Sequence, residues 1–130
     1  MQRKPDSGPM RRPGATSSPI LEFDLADEVG QLRREEPWQT TGRNAKTMVK
    51  HPDFRIVLTV LKANVRIQEH HTAGRISVQS IAGHIRMRVG KDVFDLPQGR
   101  LLALDSTLPH DVEALEDSAF LITIAFPVVH

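Results

Sequence analysis

A regular succession of short β-type segments, separated by turn signals, is the feature that most limits how this chain can fold. Phe54–Leu61 is rich in β-branched residues, and His84–Val89 alternates apolar and polar side chains, as a strand with one buried face does. About nine such segments follow one another from Lys46 onward, at a spacing of roughly eight residues and with Gly- or Pro-containing turns between them. The pattern predicts an all-β antiparallel sandwich or barrel.

The segments show no exact internal repeat, which disfavours a propeller or a solenoid. The last of them is the most apolar and is closed by Pro127. The predicted strands are 46–50, 54–61, 65–71, 75–81, 84–89, 93–96, 100–104, 110–115 and 119–126.

The region before the strands divides into two parts. Residues 1–19 contain four of the nine prolines and few apolar side chains, so they cannot bury enough area to offset the entropy of ordering, and we expect a disordered tail. Basic residues outnumber acidic ones there, but no aromatic residues are interleaved, which favours a solvated tail over a nucleic-acid-binding arm. Residues 20–45 are predicted to hold a helix and a linker, and residues 46–130 the β-barrel.

Apolar residues recur at helical spacing after Asp24, with charged residues between them. Asp24 is a suitable N-cap, and Pro37 is expected to end the run. We therefore predict a short amphipathic helix at about residues 25–35. It would lie against the outside of the barrel, with Trp38 beneath it.

The composition excludes several function classes. There is no cysteine, so disulfides, thiolate catalysis and zinc–thiolate sites are excluded. The formal net charge is +1, which predicts no strong attraction to nucleic acid or to an anionic membrane. No run approaches the roughly 20 apolar residues that span a bilayer, and the first twenty residues lack the apolar core of a secretory signal. We expect a cytoplasmic protein.

Two groups of residues, far apart in the chain, carry the polar chemistry. The first is Glu69–Gly83, which contains the only adjacent histidines, His70 and His71, and a turn signal at Gly74. The second begins at Gly99 and includes His110. Adjacent strand residues face opposite sides of a sheet, so both histidines of the pair cannot point into one barrel without a bulge.

These groups resemble the two motifs of the cupins, a family of small jelly-roll barrels. The first cupin motif contains His-x-His, a Glu and a Gly. Counting back from Gly83 places His70 on the first histidine, Thr72 on the second and Arg75 on the Glu. A one-residue shift would instead present Glu69 and His71.

The second cupin motif contains Gly, Pro, Gly, His and Asn. Gly99 and His110 match its first Gly and its His with the expected spacing. Asp105, Thr107 and Ala114 stand where the family has Pro, Gly and Asn. The resemblance covers residues 46–126 and implies a double-stranded β-helix, the jelly-roll cupin barrel, with a short helix before it.

In this family three histidines and the Glu usually hold a divalent metal, so the resemblance implies that Fe, Mn, Ni or Zn could bind at His70 and His110. Arg75 in the place of the Glu opposes this. A divalent cation roughly 4 Å from a guanidinium is repelled by about 8 kcal/mol at an effective dielectric constant near 20. Thr72 and Gln79 are weak oxygen ligands by comparison.

We therefore predict a cupin-like barrel that binds a small, anionic molecule in its centre without a tightly held catalytic metal. The predicted ligand-binding residues are His70, Thr72, Arg75, Ser77, Gln79 and His110. The alternatives are a metal-dependent dioxygenase or isomerase that uses His70 and His110, and a scaffold whose outer surface acts in interaction or regulation. If Arg75 lies at the rim, it is expected to pair with Glu69 or Asp111. We also expect a homodimer, with Phe54–Leu61 as the pairing strand.

Overall fold

The computed structural model describes residues 19–69, 74–105 and 108–127. These residues form two helices and nine strands in two sheets, in which every pairing is antiparallel. The prediction of an all-β jelly-roll barrel with a short helix before it is confirmed. The elements are α1 (Leu25–Arg34), α2 (Glu36–Thr41), β1 (Arg43–His51), β2 (Phe54–Leu61), β3 (Arg66–Glu69), β4 (Arg75–Ala82), β5 (His84–Val89), β6 (Asp92–Pro97), β7 (Leu101–Leu104), β8 (His110–Ala114) and β9 (Ser118–Ala125).

One sheet has five strands in the order β1-β2-β9-β4-β7, and the other has four in the order β3-β8-β5-β6. A hydrophobic core joins the two sheets, because it takes Val78 and Phe120 from the first and Met87 and Val112 from the second. Each of these four side chains is at most 1% exposed. We call the face of each sheet that contributes to this core its inner face.

A second hydrophobic cluster covers the outer face of the five-stranded sheet. Val29, Leu32 and Trp38 from the two helices pack there against Leu58 and Val60 of β2. Because β2 and β9 contribute side chains to both clusters, they are buried on both faces, which explains their nearly continuous apolar sequences.

The predicted helix is confirmed as α1, and Asp24 caps it by accepting a hydrogen bond from the Asp27 backbone N–H at 3.1 Å. Pro37 does not end the helical region as expected. It stands in the first turn of α2, where a proline is tolerated because that backbone N–H has no partner within the helix.

Two further expectations need correction. Strand β1 begins at Arg43, inside the stretch expected to be a linker. Strand β2 pairs with β1 on one side and β9 on the other, so Phe54–Leu61 has no free edge for a second copy, and the expectation that it is the pairing strand is wrong. The homodimer itself stays a prediction. The expected tail, residues 1–19, lies outside the described residues except for Pro19.

Neither described helix is long and apolar enough to cross a membrane.

Gly83 joins β4 to β5 in a tight crossing at one end of the barrel. Its φ is +79°, and an added Cβ would overlap the Asp117 carbonyl oxygen and lie 2.5 Å from Ser118 Oγ. That hydroxyl is already engaged, since it accepts a hydrogen bond from the His84 N–H at 3.0 Å and donates one to the Glu116 carbonyl at 2.7 Å. The position therefore requires glycine for two independent reasons.

Replacing Gly83 with alanine should destabilise the fold more than the same change at Gly90. Gly90 also has a positive φ, of 60°, but nothing lies within 4 Å of an added Cβ. Gly90→Ala should therefore cost only the backbone strain, about 1–2 kcal/mol. Gly83→Ala adds steric overlap and should cost a further ~1–3 kcal/mol. Urea unfolding followed by circular dichroism measures both values, and equal losses would show that Gly83 is not crowded.

Candidate functional site

The barrel has one end at which β2 and β8 both begin, which we call the mouth. The opposite end is fixed by the β2–β3 turn, where the Asn64 N–H donates to the Ala114 carbonyl at 2.7 Å and the Ala114 N–H donates to the Val65 carbonyl at 3.0 Å. These bonds hold the end of β8 beside the end of β2. The first residues of both strands therefore lie at the other end, the mouth.

His110, the first residue of β8, lies on the inner face at the mouth. Every second residue of β8 is buried, so His110 shares its face with the core residues Val112 and Ala114, and only 9% of it is exposed. Its Nδ1 is 3.1 Å from the Leu108 carbonyl oxygen. A carbonyl can only accept, so the neutral ring carries its proton on Nδ1, and the lone pair is on Nε2. Among the predicted site residues, His110 lies where a barrel ligand could meet it.

Arg55 is a second inner-face residue at the mouth, and the sequence analysis did not predict it. It is the register partner of Ile124, which packs against the inner core. It also lies an even number of residues before the core residue Leu61 in β2, so both side chains point to the same face. Arg55 is half-buried. Its Nε is sealed from solvent and has no hydrogen-bond partner. No carboxylate in the described part of the chain lies within ion-pair distance of it.

The position of the Arg55 guanidinium is set by Phe126, just after β9. The Arg55 Cζ lies 5.0 Å from the centroid of the Phe126 ring, within the range of a cation–π contact. The Phe126 N–H donates to the Asp53 carbonyl at 3.0 Å, which fixes this ring beside the start of β2. The signal that could have identified Arg55 is its charge, since no other residue of Phe54–Leu61 is charged.

The register of the five-stranded sheet arranges its inner-face residues in rows across the strands. The row at the mouth consists of Lys50, Arg55, Ile124, Ile76 and Leu104. The next row, one step further into the barrel, consists of Thr47, Val57, Ile122, Val78 and Leu102. Cationic groups in these two rows are therefore confined to the mouth, and the second row is apolar apart from one hydroxyl.

Arg75 does not lie inside the barrel, and this corrects the expected orientation of three residues. Its side chain is 86% exposed, and its Nε is 3.8 Å from Asp105, a rim contact of the kind expected for an outward arginine but with a different acid. Ser77 and Gln79 share its face of β4. Ser77 is half-buried there, and Gln79 is exposed. Ile76 and Val78 take the inner face of this part of β4, because burying them is favourable whereas burying an unpaired charge is costly.

His70 and Thr72 lie outside the described residues, and so does the alternative His71. In the described part of β3, Glu69 is the register partner of His110. No group of three or more His, Asp or Glu residues in described positions could hold a metal ion. Among the described side chains at the mouth, His110 offers one imidazole nitrogen and Arg55 a guanidinium, and these two do not by themselves fit a divalent cation.

The acidic residues that follow His110, Asp111 and Glu113, face outward and form ion pairs there. The Asp111 carboxylate is 2.6 Å from Arg66 and 3.6 Å from Arg88, and Glu113 is 3.2 Å from Arg88. These ion pairs link three strands across the outer face of the four-stranded sheet. They leave Asp111 and Glu113 directed away from the barrel interior.

A further pair on the same outer face joins β5 to β6. Arg86 donates a hydrogen bond to Asp95 at 2.8 Å, and this bond lowers the pKa of the Asp95 carboxyl below its usual value. The outer face of the four-stranded sheet is thus a network of balanced charges. Among its described residues, this face offers no unpaired cationic surface for an anionic partner.

The sequence matches no protein-family model and no curated protein. The fold is similar to that of several solved structures. A conserved protein of unknown function from Streptococcus pyogenes has a TM-score of 0.65 and 18% identity over 73% of this chain and 88% of that chain. An RmlC-like cupin protein from Desulfovibrio desulfuricans has a TM-score of 0.60 and 25% identity over 68% of this chain and 86% of that chain.

Salicylate 1,2-dioxygenase from Pseudoaminobacter salicylatoxidans, in a structure of its adducts with gentisate, has a TM-score of 0.73 and 15% identity. The similarity covers 85% of this chain and 34% of the dioxygenase chain, so this chain spans about a third of that enzyme. Identity this low indicates the fold alone. These similarities confirm the predicted architecture and assign no reaction to the chain.

The tautomer of His110 can be checked directly. In its neutral form the ring should carry its proton on Nδ1, because the Leu108 carbonyl accepts from that nitrogen. Long-range ¹H–¹⁵N correlation spectra distinguish the protonated nitrogen of each imidazole. The exposed His51 is the control, with the tautomer mixture of a free imidazole. A proton on Nε2 of His110 would show that the Leu108 contact does not orient the ring.

Proposed function

We propose that this chain, which has the cupin fold, binds a small organic anion at the mouth of its barrel, with Arg55 as the principal binding residue. The observation that carries the proposal is the state of the Arg55 guanidinium. It is half-buried on the inner face, its Nε has no hydrogen-bond partner, and no described carboxylate pairs with it. A guanidinium in that state favours an anionic acceptor.

The energetic argument rests on unsatisfied hydrogen bonding. A buried donor without a partner costs about 1–3 kcal/mol, and hydrogen bonds to charged groups contribute about 1.5–3 kcal/mol when they form. A carboxylate or phosphate presents two oxygens to the fork of the guanidinium and can satisfy Nε together with one terminal nitrogen. Binding an anion would therefore remove a penalty that the free protein carries.

His110 supports the proposal from the four-stranded sheet. With Nδ1 held by the Leu108 carbonyl, Nε2 is left to accept a hydrogen bond from the ligand when the ring is neutral, or to donate one when it is protonated. His110 lies at the mouth, as Arg55 does. A ligand there could meet both groups, one from each sheet.

Arg55 thus takes the role that the sequence suggested for Arg75. The two arginines differ in environment, because the Arg75 side chain is 86% exposed and stays hydrated near Asp105. An exposed guanidinium gains little from pairing with an anion in water. The same comparison makes Arg75 a suitable control for mutation of Arg55.

The proposal includes no tightly bound metal. His110 is the one imidazole among the described side chains at the mouth, and tight divalent sites generally need three or four good ligands. The fold similarity to salicylate 1,2-dioxygenase gives no ground for transferring its reaction at 15% identity. The alternative, a metal-dependent enzyme, requires a bound metal, which metal analysis of the purified protein would detect.

Replacing Arg55 with methionine should weaken anion binding, because it removes the guanidinium while keeping an unbranched apolar side chain. The sodium salts of acetate, benzoate and phosphate serve as probes at constant ionic strength. At least one should bind the wild-type protein and lose about tenfold to a hundredfold in affinity in Arg55→Met, which corresponds to about 1.5–3 kcal/mol. Isothermal titration calorimetry measures the affinities. Arg75→Met, which removes the same charge from an exposed site, should bind as the wild type does.

Two results would contradict the proposal. One is anion binding that Arg55→Met leaves unchanged. The other is near-stoichiometric Fe, Mn, Ni or Zn in protein purified without chelator and lost in His110→Ala, which would establish a metal centre instead.

A further inference from the structure

We infer that the anion is a monocarboxylate with an apolar body about the size of one aromatic ring, bound with its carboxylate at Arg55 and its body against Val57 and Ile122. This inference rests on the proposed function and adds to it the chemical class and orientation of the ligand. It follows from the order of side chains in the two inner-face rows nearest the mouth.

The second row contains the apolar surface that remains open to a ligand. Val57 and Ile122 are register partners on the inner face of β2 and β9, and both are half-buried. Val78, in the same row on β4, is only 1% exposed and belongs to the closed core. Leu102, beyond Val78 on β7, is half-buried as well, but Val57 and Ile122 are the half-buried apolar pair that lies one step inward from Arg55 and its register partner Ile124.

The spacing between charge and apolar surface sets the size of the ligand. Arg55 and Val57 are two residues apart in β2 and point to the same face, so their Cα atoms are separated by about 7 Å along the strand. A ring attached directly to a carboxylate extends over a comparable distance. Phe126, whose ring contacts the guanidinium, follows Ile124 toward the outside of the mouth, on the side of Arg55 away from Val57 and Ile122.

Other anion classes fit these rows less well. A sugar acid would bring several hydroxyl groups against a row whose only polar member is Thr47, and each hydroxyl left without a partner is costly. Inorganic phosphate would draw on Lys50 as well as Arg55. Lys50 is exposed, however, and its ammonium group stays hydrated, whereas Arg55 has a donor sealed from water.

Calorimetry with benzoate, acetate and inorganic phosphate tests the inference. Benzoate should bind at least tenfold more tightly than acetate or phosphate, because only benzoate can cover Val57 and Ile122. Val57→Thr keeps the shape of the side chain and adds a hydroxyl, so it should weaken benzoate several-fold and leave acetate unchanged. Val93→Thr is the matched control, since Val93 is 56% exposed on the outer face and should leave all three probes unchanged.

The outcomes separate this inference from the proposed function. If all three probes bind with similar affinity, or phosphate binds best, and Arg55→Met weakens them, the anion site stands and the apolar body is wrong. If benzoate binds best but neither Arg55→Met nor Arg55→Lys weakens it, the ligand lies elsewhere and both ideas fail. Both also fail if no probe binds. Urea unfolding of each variant confirms that a lost affinity is not a lost fold.

Discussion

The five-stranded sheet must bury both of its faces, and this requirement determines the arrangement of the other elements. Its central strands β2 and β9 contribute apolar side chains to both hydrophobic clusters, one on each face, so the sheet needs two covers. The four-stranded sheet covers the inner face. The helices cover the outer face and bring Trp38 against it. The four-stranded sheet needs only one cover, because its outer face carries the ion pairs of Asp111, Glu113 and Asp95.

The same requirement explains where the polar groups of the inner face lie. In a barrel whose interior is filled by aliphatic side chains, a charged group is tolerated only near an opening, and Arg55 and His110 both occupy the mouth. Each is held by a neighbour that follows from the fold. The carbonyl of Leu108 sets the imidazole tautomer, and the ring of Phe126 lies against the guanidinium. The candidate site thus takes Arg55 from the five-stranded sheet and His110 from the four-stranded sheet.

The sequence was sufficient to predict the architecture but not the inner-face residues of the candidate site. The difference is whether a strand alternates between apolar and polar residues. His84–Val89 alternates strictly, so its boundaries and both faces could be predicted. Phe54–Leu61 could be recognised as a strand, but a strand buried on both faces has no alternation, and so the inward direction of Arg55 could not be predicted.

The prediction that Arg75 points into the barrel was wrong because it relied on the spacing from Gly83. It did not weigh the preference of the apolar residues Ile76 and Val78 for the interior. A register irregularity between Ser80 and Ala82 also interrupts the alternation along that strand. His110 was predicted to lie within the barrel from its spacing to Gly99, and its strand β8 does alternate between buried and half-buried residues.

The position of Trp38 has a consequence for how unfolding is observed. It is the chain's single tryptophan, the chain has no tyrosine, and the indole is enclosed between the helices and the sheet, near Arg33 and Lys62. Intrinsic fluorescence therefore reports on detachment of the helical cover and is blind to opening of the mouth. A fluorescence transition that precedes the far-ultraviolet dichroism transition would mean that the cover separates while the barrel persists.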